Sequence, residues 1–208
     1  MDANYIRVFD DCLTEEFCNR AIEVFNKNER DHNVQDKPSL SFHTKLTQLN
    51  ITQQYMSGDK ECEYIHNTLI DIGRIIVDDY LTNIPSPVFP QAIDNWEQFR
   101  LKRYLPNGDE GFGLHGDCTN IGSSARWLAF FWYLNDVEEG GRTIFSYDGE
   151  NEIGAVEAKQ GRCLVFPPTW TYPHLGEKPI SNEKYIIGSY LHHYTTDELL
   201  EAHGVKNG

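Results

Sequence analysis

The segment LHGDCTN, residues 114–120, places a histidine and an aspartate two positions apart, at His115 and Asp117. In an extended strand the side chains of residues i and i+2 point to the same face, roughly 6.6 Å apart at about 3.3 Å per residue. The two side chains can therefore converge on one metal ion, particularly where the strand ends in a turn. An imidazole nitrogen and a carboxylate oxygen together suit Fe(II), for which a second histidine completes a facial set of three protein ligands. A structural zinc site would want four protein ligands, and the spacings in this chain do not supply them.

The third ligand has to come from the downstream histidines, which are His174, His192, His193 and His203. His192 and His193 are adjacent and face opposite ways, and no basic residue follows them at a useful offset. His174 is followed ten residues later by Lys184, inside a segment with the pattern of a strand. A fixed cation there can hold an acidic cosubstrate, so we favour His174 as the third ligand.

The elements that must position these residues begin with a mixed region at residues 1–95. The run YIRVF at residues 5–9 predicts a strand, and Thr14 has the character of a helix N-cap, with apolar residues at helical spacing after it. Residues 28–50 are polar with little periodicity, so we expect a long loop there. Apolar residues recurring at three and four across residues 59–81 predict a second helix.

The second region, residues 96–194, consists of short β-rich runs separated by clusters of Gly, Asn, Asp and Pro. Seven or eight strands at that spacing predict a sandwich or barrel with the helices packed outside it. The chain contains no repeat and no linker, so we expect one domain over residues 1–208. Its parts would be a support region at 1–95, a β core at 96–194 and a C-terminal tail at 195–208.

Composition excludes several classes of protein. The chain has 18 basic and 32 acidic residues, a net charge of −14, and no basic run, which disfavours nucleic acid and anionic lipid as partners. Its five cysteines are scattered, without a C-x-x-C pair, which argues against a disulfide framework and a structural zinc site. No signal peptide and no membrane-spanning run is visible, so we expect an intracellular, cytoplasmic protein without a membrane partner.

The ordered residues His115, Asp117, His174 and Lys184 resemble the signature of the 2-oxoglutarate and Fe(II)-dependent oxygenases. In this chain, His174 follows Asp117 by 57 residues, and Lys184 comes ten residues later. The resemblance extends over about residues 4–194.

The flanking segments are similar to the prolyl 4-hydroxylase-like branch of that family. The similar segments are VFDDCLTEEFCNRAI at 8–22, YLND at 133–136, GGRTIF at 140–145 and AKQGRCLVFP at 158–167. The resemblance implies a mainly β fold with flanking helices, namely a double-stranded β-helix (jelly roll) with the N-terminal helices packed on one sheet. It also implies Fe(II) as metal, 2-oxoglutarate and O₂ as cosubstrates, and ascorbate as a candidate reductant.

The same resemblance assigns roles to individual residues. His115, Asp117 and His174 would bind the iron, which 2-oxoglutarate would chelate through its 2-oxo and adjacent carboxylate oxygens. The distal carboxylate would pair with Lys184. Two tyrosines, Tyr104 and Tyr133, match residues that help to hold the cosubstrate in relatives. The chain departs from its relatives at Tyr190, which lies near a position where many carry tryptophan, and in a slightly longer turn after Tyr104.

These implications lead to a predicted hydroxylase of an unactivated C–H bond, with succinate and CO₂ as coproducts. Peptidyl proline is the favoured substrate by resemblance, and a free amino acid or other small molecule is the alternative. A non-catalytic jelly-roll module that keeps its metal is the alternative from another class. Arg126 and Arg162 are further candidates for binding an anion. We also expect residues 28–50 and the turn at 106–113 to clamp an extended peptide beside the iron. The sequence leaves the oligomeric state open.

Overall fold

A computed structural model describes residues 3–86, 88–90, 93–106 and 108–195 of the chain. The described residues contain three α-helices, α1 (Glu15–Lys27), α2 (Ile51–Met56) and α3 (Lys60–Asn83). They also contain eleven β-strands: β1 (Arg7–Phe9), β2 (Asn33–Lys37), β3 (Thr44–Asn50), β4 (Arg100–Tyr104), β5 (Phe112–His115), β6 (Arg126–Tyr133), β7 (Thr143–Phe145), β8 (Gly154–Val156), β9 (Cys163–Phe166), β10 (His174–Gly176) and β11 (Lys184–His192). His203 and, apart from its first residue, the expected tail at 195–208 lie outside the described residues.

The strands form two antiparallel sheets. The large sheet has the order β1-β9-β6-β11-β4-β3-β2, and the small sheet has the order β5-β10-β7-β8. Apolar side chains from both sheets share one buried cluster, which includes Phe131 and Ile186 from the large sheet and Phe145 and Val156 from the small one. The fold is therefore a double-stranded β-helix, as predicted.

The two longer helices cover the outer face of the large sheet. Helix α1 begins where predicted, because the Thr14 hydroxyl accepts a hydrogen bond from the Phe17 backbone N–H at 3.2 Å. The buried face of α3 includes Ile65 and Leu69, which join a second core cluster with Trp132 of β6. The predicted packing of the N-terminal helices on one sheet is confirmed. Among the described helices, none has the length and apolar character needed to cross a membrane.

The prediction of a long loop at residues 28–50 is wrong. Strands β2 and β3 form an antiparallel hairpin there, and β3 pairs with β4, so the hairpin extends the large sheet. Strand β2 is the edge strand and is mostly exposed, so it lacks the alternating apolar residues by which a strand is recognised. Only residues 38–43 connect the two strands as a loop.

The strand predictions after residue 96 are confirmed with one omission. Each of the seven predicted β-rich runs contains a strand, but β10 was not expected. It is three residues long, lies between proline- and glycine-containing segments, and is held between β5 and β7 by pairing on both sides. Its first residue is His174, so this histidine lies on a strand and not in a loop.

Candidate active site

Antiparallel pairing of β5 and β10 brings the two histidines together. His115, the last residue of β5, is paired across the ladder with His174, the first residue of β10. Their ring centroids are 4.4 Å apart. Asp117 lies just beyond the end of β5, where its backbone N–H donates to the Pro168 carbonyl at 3.1 Å. The short strand and the turn after it thus direct all three side chains to one point.

Hydrogen bonds at the Nδ1 atoms of His115 and His174 fix the orientation of both rings toward Asp117. The Nδ1 atom of His115 lies 2.8 Å from the Gly113 carbonyl, and Nδ1 of His174 lies 3.1 Å from the Tyr172 carbonyl. Because a carbonyl only accepts, each Nδ1 carries a proton, and in the neutral form of each ring Nε2 presents a lone pair. Both Nε2 atoms lie 3.3 Å from an oxygen of Asp117, one from Oδ1 and one from Oδ2.

This donor set fits a divalent metal ion. The three ligand atoms lie within 4.8 Å of one another, and this is the one such His, Cys, Asp and Glu cluster in the described part of the chain. Oδ2 of Asp117 and Nε2 of His174 are buried and have no hydrogen-bond partner in the structure. Bond lengths of about 2.1 Å place neighbouring ligand atoms about 3 Å apart, close to the separations seen here. A metal ion would satisfy both orphaned atoms, which otherwise carry a desolvation cost.

The electrostatic state of the cluster also suits a metal. Burial lowers the pKa of His174 to about 4, so its imidazole is neutral near pH 7 and free to donate its lone pair. Burial acts to raise the pKa of Asp117, but its interactions with His174, His115 and the Tyr190 hydroxyl outweigh that effect. They hold the pKa of the carboxyl group well below its usual range. The site therefore offers one anionic ligand and at least one neutral ligand.

A narrow inner cavity lies between this cluster and Lys184. Lys184 is the first residue of β11, is paired with Tyr104 of β4, and is only 2% exposed. Its ammonium lies 5.5 Å from the Tyr104 ring centroid and 5.6 Å from that of Tyr133. Burial lowers the pKa of Lys184 to about 7. Lys184 takes part in none of the ion pairs formed by the described residues, whereas other basic residues, such as Arg126 and Arg142, are paired with carboxylates.

The two predicted tyrosines occupy different places. Tyr104 lines the inner cavity, whereas Tyr133 lies behind Thr143, to whose hydroxyl its own hydroxyl is hydrogen-bonded at 2.7 Å. Thr143 itself lines the cavity and was not predicted as a site residue. Its position in the GGRTIF segment, where alternate strand residues face inward, is the signal that sequence reasoning missed.

The inner cavity adjoins a wider groove. Its volume is about 20 Å³, enough for about one water molecule, whereas the groove measures about 680 Å³. Lys102, Phe112, His115 and Asp117 line both. A five-carbon diacid entering beside Lys184 would therefore have to displace the side chains at this junction, of which Lys102 and Phe112 are not part of the metal cluster.

The β2–β3 hairpin forms one wall of the groove. Its loop is tied to β5, because the Gly113 N–H donates to Thr44 Oγ1 at 2.9 Å and the Leu114 N–H donates to Ser41 Oγ at 2.7 Å. The other expected clamp segment is tied to the hairpin by Lys45, whose backbone exchanges two hydrogen bonds with Gly111. The hairpin lines the groove; of the turn at 106–113, only its last residues, from Phe112 on, do.

The other described candidate residues do not line the inner cavity. His192 is bonded to Glu97 at 2.8 Å, and Arg162 pairs with Asp10 at 2.7 Å, so neither points into the inner cavity. Arg126 lines the outer groove. Trp170, four residues before His174, is 76% exposed and does not line either space.

Residues 99–192 match the family model of the 2OG-Fe(II) oxygenase superfamily. This span runs from β4 to β11 and contains every side chain described above around the inner cavity. The chain carries a 2-oxoglutarate- and Fe(II)-dependent oxygenase domain. Its class is therefore that of a 2-oxoglutarate-dependent dioxygenase, which uses Fe(II), 2-oxoglutarate and O₂, and the resemblance seen in the sequence is confirmed.

Solved structures of other oxygenases share the fold. The viral collagen prolyl hydroxylase of Paramecium Bursaria Chlorella virus-1 aligns at a TM-score of 0.58 with 20% identity, covering 92% of this chain and 97% of that one. A prolyl hydroxylase from Trichoplax adhaerens aligns at 0.66 with 15% identity, covering 98% and 88%. A Pseudomonas putida prolyl-4-hydroxylase aligns at 0.60 with 14% identity, covering 92% and 94%. No curated protein matches this oxygenase in sequence.

Proposed function

We propose that this oxygenase hydroxylates proline in a peptide, with His115, Asp117 and His174 as its iron ligands. The observation that carries the proposal is the convergence of three ligand atoms, two of them buried and unpartnered, beside a buried lysine. Three protein ligands leave three of six positions open, two for a chelating 2-oxoglutarate and one for O₂. When bound, the iron supplies the activation of O₂ that couples decarboxylation of 2-oxoglutarate to insertion of oxygen into a C–H bond.

The residues of the inner cavity have separate tasks in this proposal. Lys184 pairs with the distal carboxylate of 2-oxoglutarate through a charge-assisted hydrogen bond, which needs the low-polarity surroundings that the structure provides. Tyr104 lines the same cavity, and Tyr133 positions the Thr143 hydroxyl that faces it. The rings of Phe112 and Phe131 line the remaining wall and exclude water from the reacting atoms. Ascorbate is the proposed reductant of the iron.

Proline in a peptide is supported by the groove and by the relatives. The groove of about 680 Å³ is large enough for several residues of a bound chain, and it reaches the metal cluster at His115 and Asp117. One relative, from Trichoplax adhaerens, is a prolyl hydroxylase in complex with a peptide fragment. The β2–β3 hairpin, which lies within the predicted clamp segment 28–50, would flank this peptide.

The test is turnover with Fe(II), 2-oxoglutarate and a library of proline-containing peptides. We expect succinate to form in step with a mass gain of one oxygen on proline. Hydroxylation of free amino acids but not of peptides would favour the small-molecule alternative. A complete lack of succinate, with metal bound, would identify a non-catalytic metal-binding module.

A further inference from the structure

The groove beside the metal cluster is basic, although the whole chain is strongly acidic. Four cationic side chains line it, Lys37, Arg100, Lys102 and Arg126, and Asp117 is the one acidic residue among its described lining. The net charge of the chain is −14, so this concentration of positive charge runs against the composition. A local reversal of charge in a cleft favours an anionic ligand by focusing the field there.

Two of the four cations are already partnered. Arg126 makes two hydrogen bonds to the Glu97 carboxylate, at 2.6 and 2.7 Å, and Arg100 lies 3.6 Å from the same group. Glu97 also receives His192. This corner of the groove is thus a closed ion-pair network that holds the end of β6 to the residues before β4.

Lys37 and Lys102 are different, because among the described residues neither takes part in an ion pair. Their ammonium groups lie 5.9 and 5.4 Å from the Phe112 ring centroid, and Lys102 lies 5.8 Å from the Phe131 ring. Such cation–ring contacts stabilise a charge only modestly. Two lysines near one ring therefore provide a pair of cations without an ion-pair partner among the described residues.

Lys102 is the better placed of the two for contact with the reacting centre. It is half-buried on the inner face of β4 and lines both the groove and the inner cavity, together with His115 and Asp117. Gly188 on the neighbouring strand lies close to it: a Cβ there would be 3.6 Å from the Lys102 Nζ, an ordinary van der Waals contact. An anion bound to Lys102 would thus sit close to the carbon presented to the metal.

The cosubstrate does not account for this charge. With the proposed ligands in place, the formal charges of Fe(II), Asp117, 2-oxoglutarate and Lys184 cancel. Lys184 lines the inner cavity and not the groove, Lys37 lines the groove, and Lys102 lines both, so the charges of Lys37 and Lys102 remain for another anion at the groove.

We propose that Lys102, assisted by Lys37, binds a carboxylate of the substrate, and that the substrate is an acidic peptide segment with aspartate or glutamate next to the hydroxylated residue. This inference rests on the proposed function and specifies its substrate class. A peptide fits the volume of the groove better than a single amino acid does, since pockets of about 300 to 1,000 Å³ hold drug-sized ligands. The overall charge of −14 opposes a polyphosphate chain, which would meet repulsion outside the groove.

The experiment compares matched short peptides that have a central proline. Each acidic peptide is paired with its amide version, Asp to Asn or Glu to Gln, and kcat/KM is measured from succinate formation and from oxygen incorporation. We expect the acidic member to be preferred by about tenfold or more, the effect of one charge-assisted hydrogen bond. The preference should shrink as NaCl is added, because the partly exposed charges are screened.

Substitutions of Lys102 test whether this residue causes the preference for acidic peptides. In Lys102→Met the ratio of acidic to amide kcat/KM should fall toward one, and in Lys102→Glu it should invert in favour of peptides with lysine next to the proline. The matched control is Lys60→Met at the start of α3, whose lysine pairs with Glu63 on the surface. That variant should keep the full acidic preference.

Several outcomes would overturn the inference while leaving the proposed function intact. Equal use of acidic and amide peptides is one, and a rise in the KM for 2-oxoglutarate as the sole effect of Lys102→Met is another. Competition by a single-stranded oligonucleotide, with no acidic preference among peptides, would assign the groove to nucleic acid. Preference for a free acidic amino acid over every peptide, by contrast, would overturn both this inference and the proposed peptide substrate. Absence of succinate formation with any substrate would instead refute the proposed function itself.

Discussion

The Tyr190 hydroxyl donates a hydrogen bond of 2.8 Å to Oδ1 of Asp117, from a strand 73 residues further along the chain. The bond occupies one oxygen of the carboxylate, and Oδ2 is the atom left buried and unpartnered. The Arg126 guanidinium stacks 4.0 Å from the Tyr190 ring centroid and donates to the Asp117 carbonyl at 2.9 Å. Tyr190 is thus a positioning residue for the carboxylate.

Tyr190→Phe should weaken metal binding without unfolding the protein. Phenylalanine keeps the buried ring and its contact with Arg126 but leaves Asp117 free to rotate. Loss of such an outer hydrogen bond typically lowers metal affinity by about 10- to 100-fold. The affinity can be measured by Co(II) titration of the visible absorption bands. The control is Tyr185→Phe, which removes a tyrosine–carboxylate bond to Glu183 away from the site. Equal metal affinity in the two variants would refute the positioning role.

The candidate metal ligands and Lys184 could be predicted because each is marked by residues close to it in the sequence. His115 and Asp117 lie two positions apart at the end of a strand, and Lys184 starts an apolar strand that is easily recognised. The polar edge strand β2 was not predictable, since pairing with β3 holds it in place instead of an apolar face. The three-residue β10 is too short for periodicity to reveal.

The contacts around the candidate site could not be predicted from the sequence for another reason. Tyr190 of the large sheet meets Asp117, which follows β5 of the small sheet, and Lys37 of β2 and Lys102 of β4 approach the same Phe112 ring. Such pairs depend on strand order and register. Neither is encoded in the spacing of residues along one segment.

Asp117→Ala should abolish metal-dependent stabilisation. A ligand that binds only the folded state at about 100 times its Kd contributes about 2.7 kcal/mol. At about 2 to 4 °C per kcal/mol for a chain of this size, Mn(II) should raise the Tm of the wild type by roughly 5 to 10 °C. The variant lacks the anionic ligand, so its Tm should not respond. Asp10→Ala, which breaks the surface pair with Arg162, should respond as the wild type does. A full Tm response in Asp117→Ala would contradict the ligand assignment.

Lys184 should make the use of 2-oxoglutarate sensitive to pH. Burial lowers its pKa from the ordinary lysine value to about 7, so in the free enzyme the ammonium is present below about pH 7 and lost above it. The kcat/KM for 2-oxoglutarate should therefore fall as the pH rises through about 7, and Lys184→Met should be low at every pH.

Lys184→Arg provides the control for that profile, because a guanidinium stays charged over the whole range. Burial also lowers the pKa of Lys102 to about 8, so the difference between wild type and Lys184→Arg isolates the contribution of Lys184. If both proteins lose activity in parallel between about pH 7 and 8, a group other than Lys184 controls the profile.

Gly113→Ala should separate peptide hydroxylation from the rest of the reaction. Gly113 lies in β5 under the hairpin loop, and an added Cβ would overlap the Ser39 hydroxyl and the Phe42 carbonyl. The loop would have to lift away, and the hydrogen bond from Gly113 to Thr44 would lengthen or break. We expect the KM for a peptide substrate to rise about tenfold or more, which corresponds to loss of about 1.4 kcal/mol of binding. The Tm response to Mn(II) should persist, because the ligand atoms themselves are unchanged.

The loop displacement itself can be followed by limited proteolysis, since a hairpin released from β5 exposes residues 38–43 to cleavage. The matched control is Gly154→Ala in β8, where nothing lies within 4 Å of an added Cβ and the backbone is not in the left-handed region. That substitution should leave both the cleavage pattern and the peptide KM as in the wild type. Faster cleavage in Gly113→Ala together with an unchanged peptide KM would show that the hairpin covers β5 without contacting the substrate, and would remove it from the proposed groove.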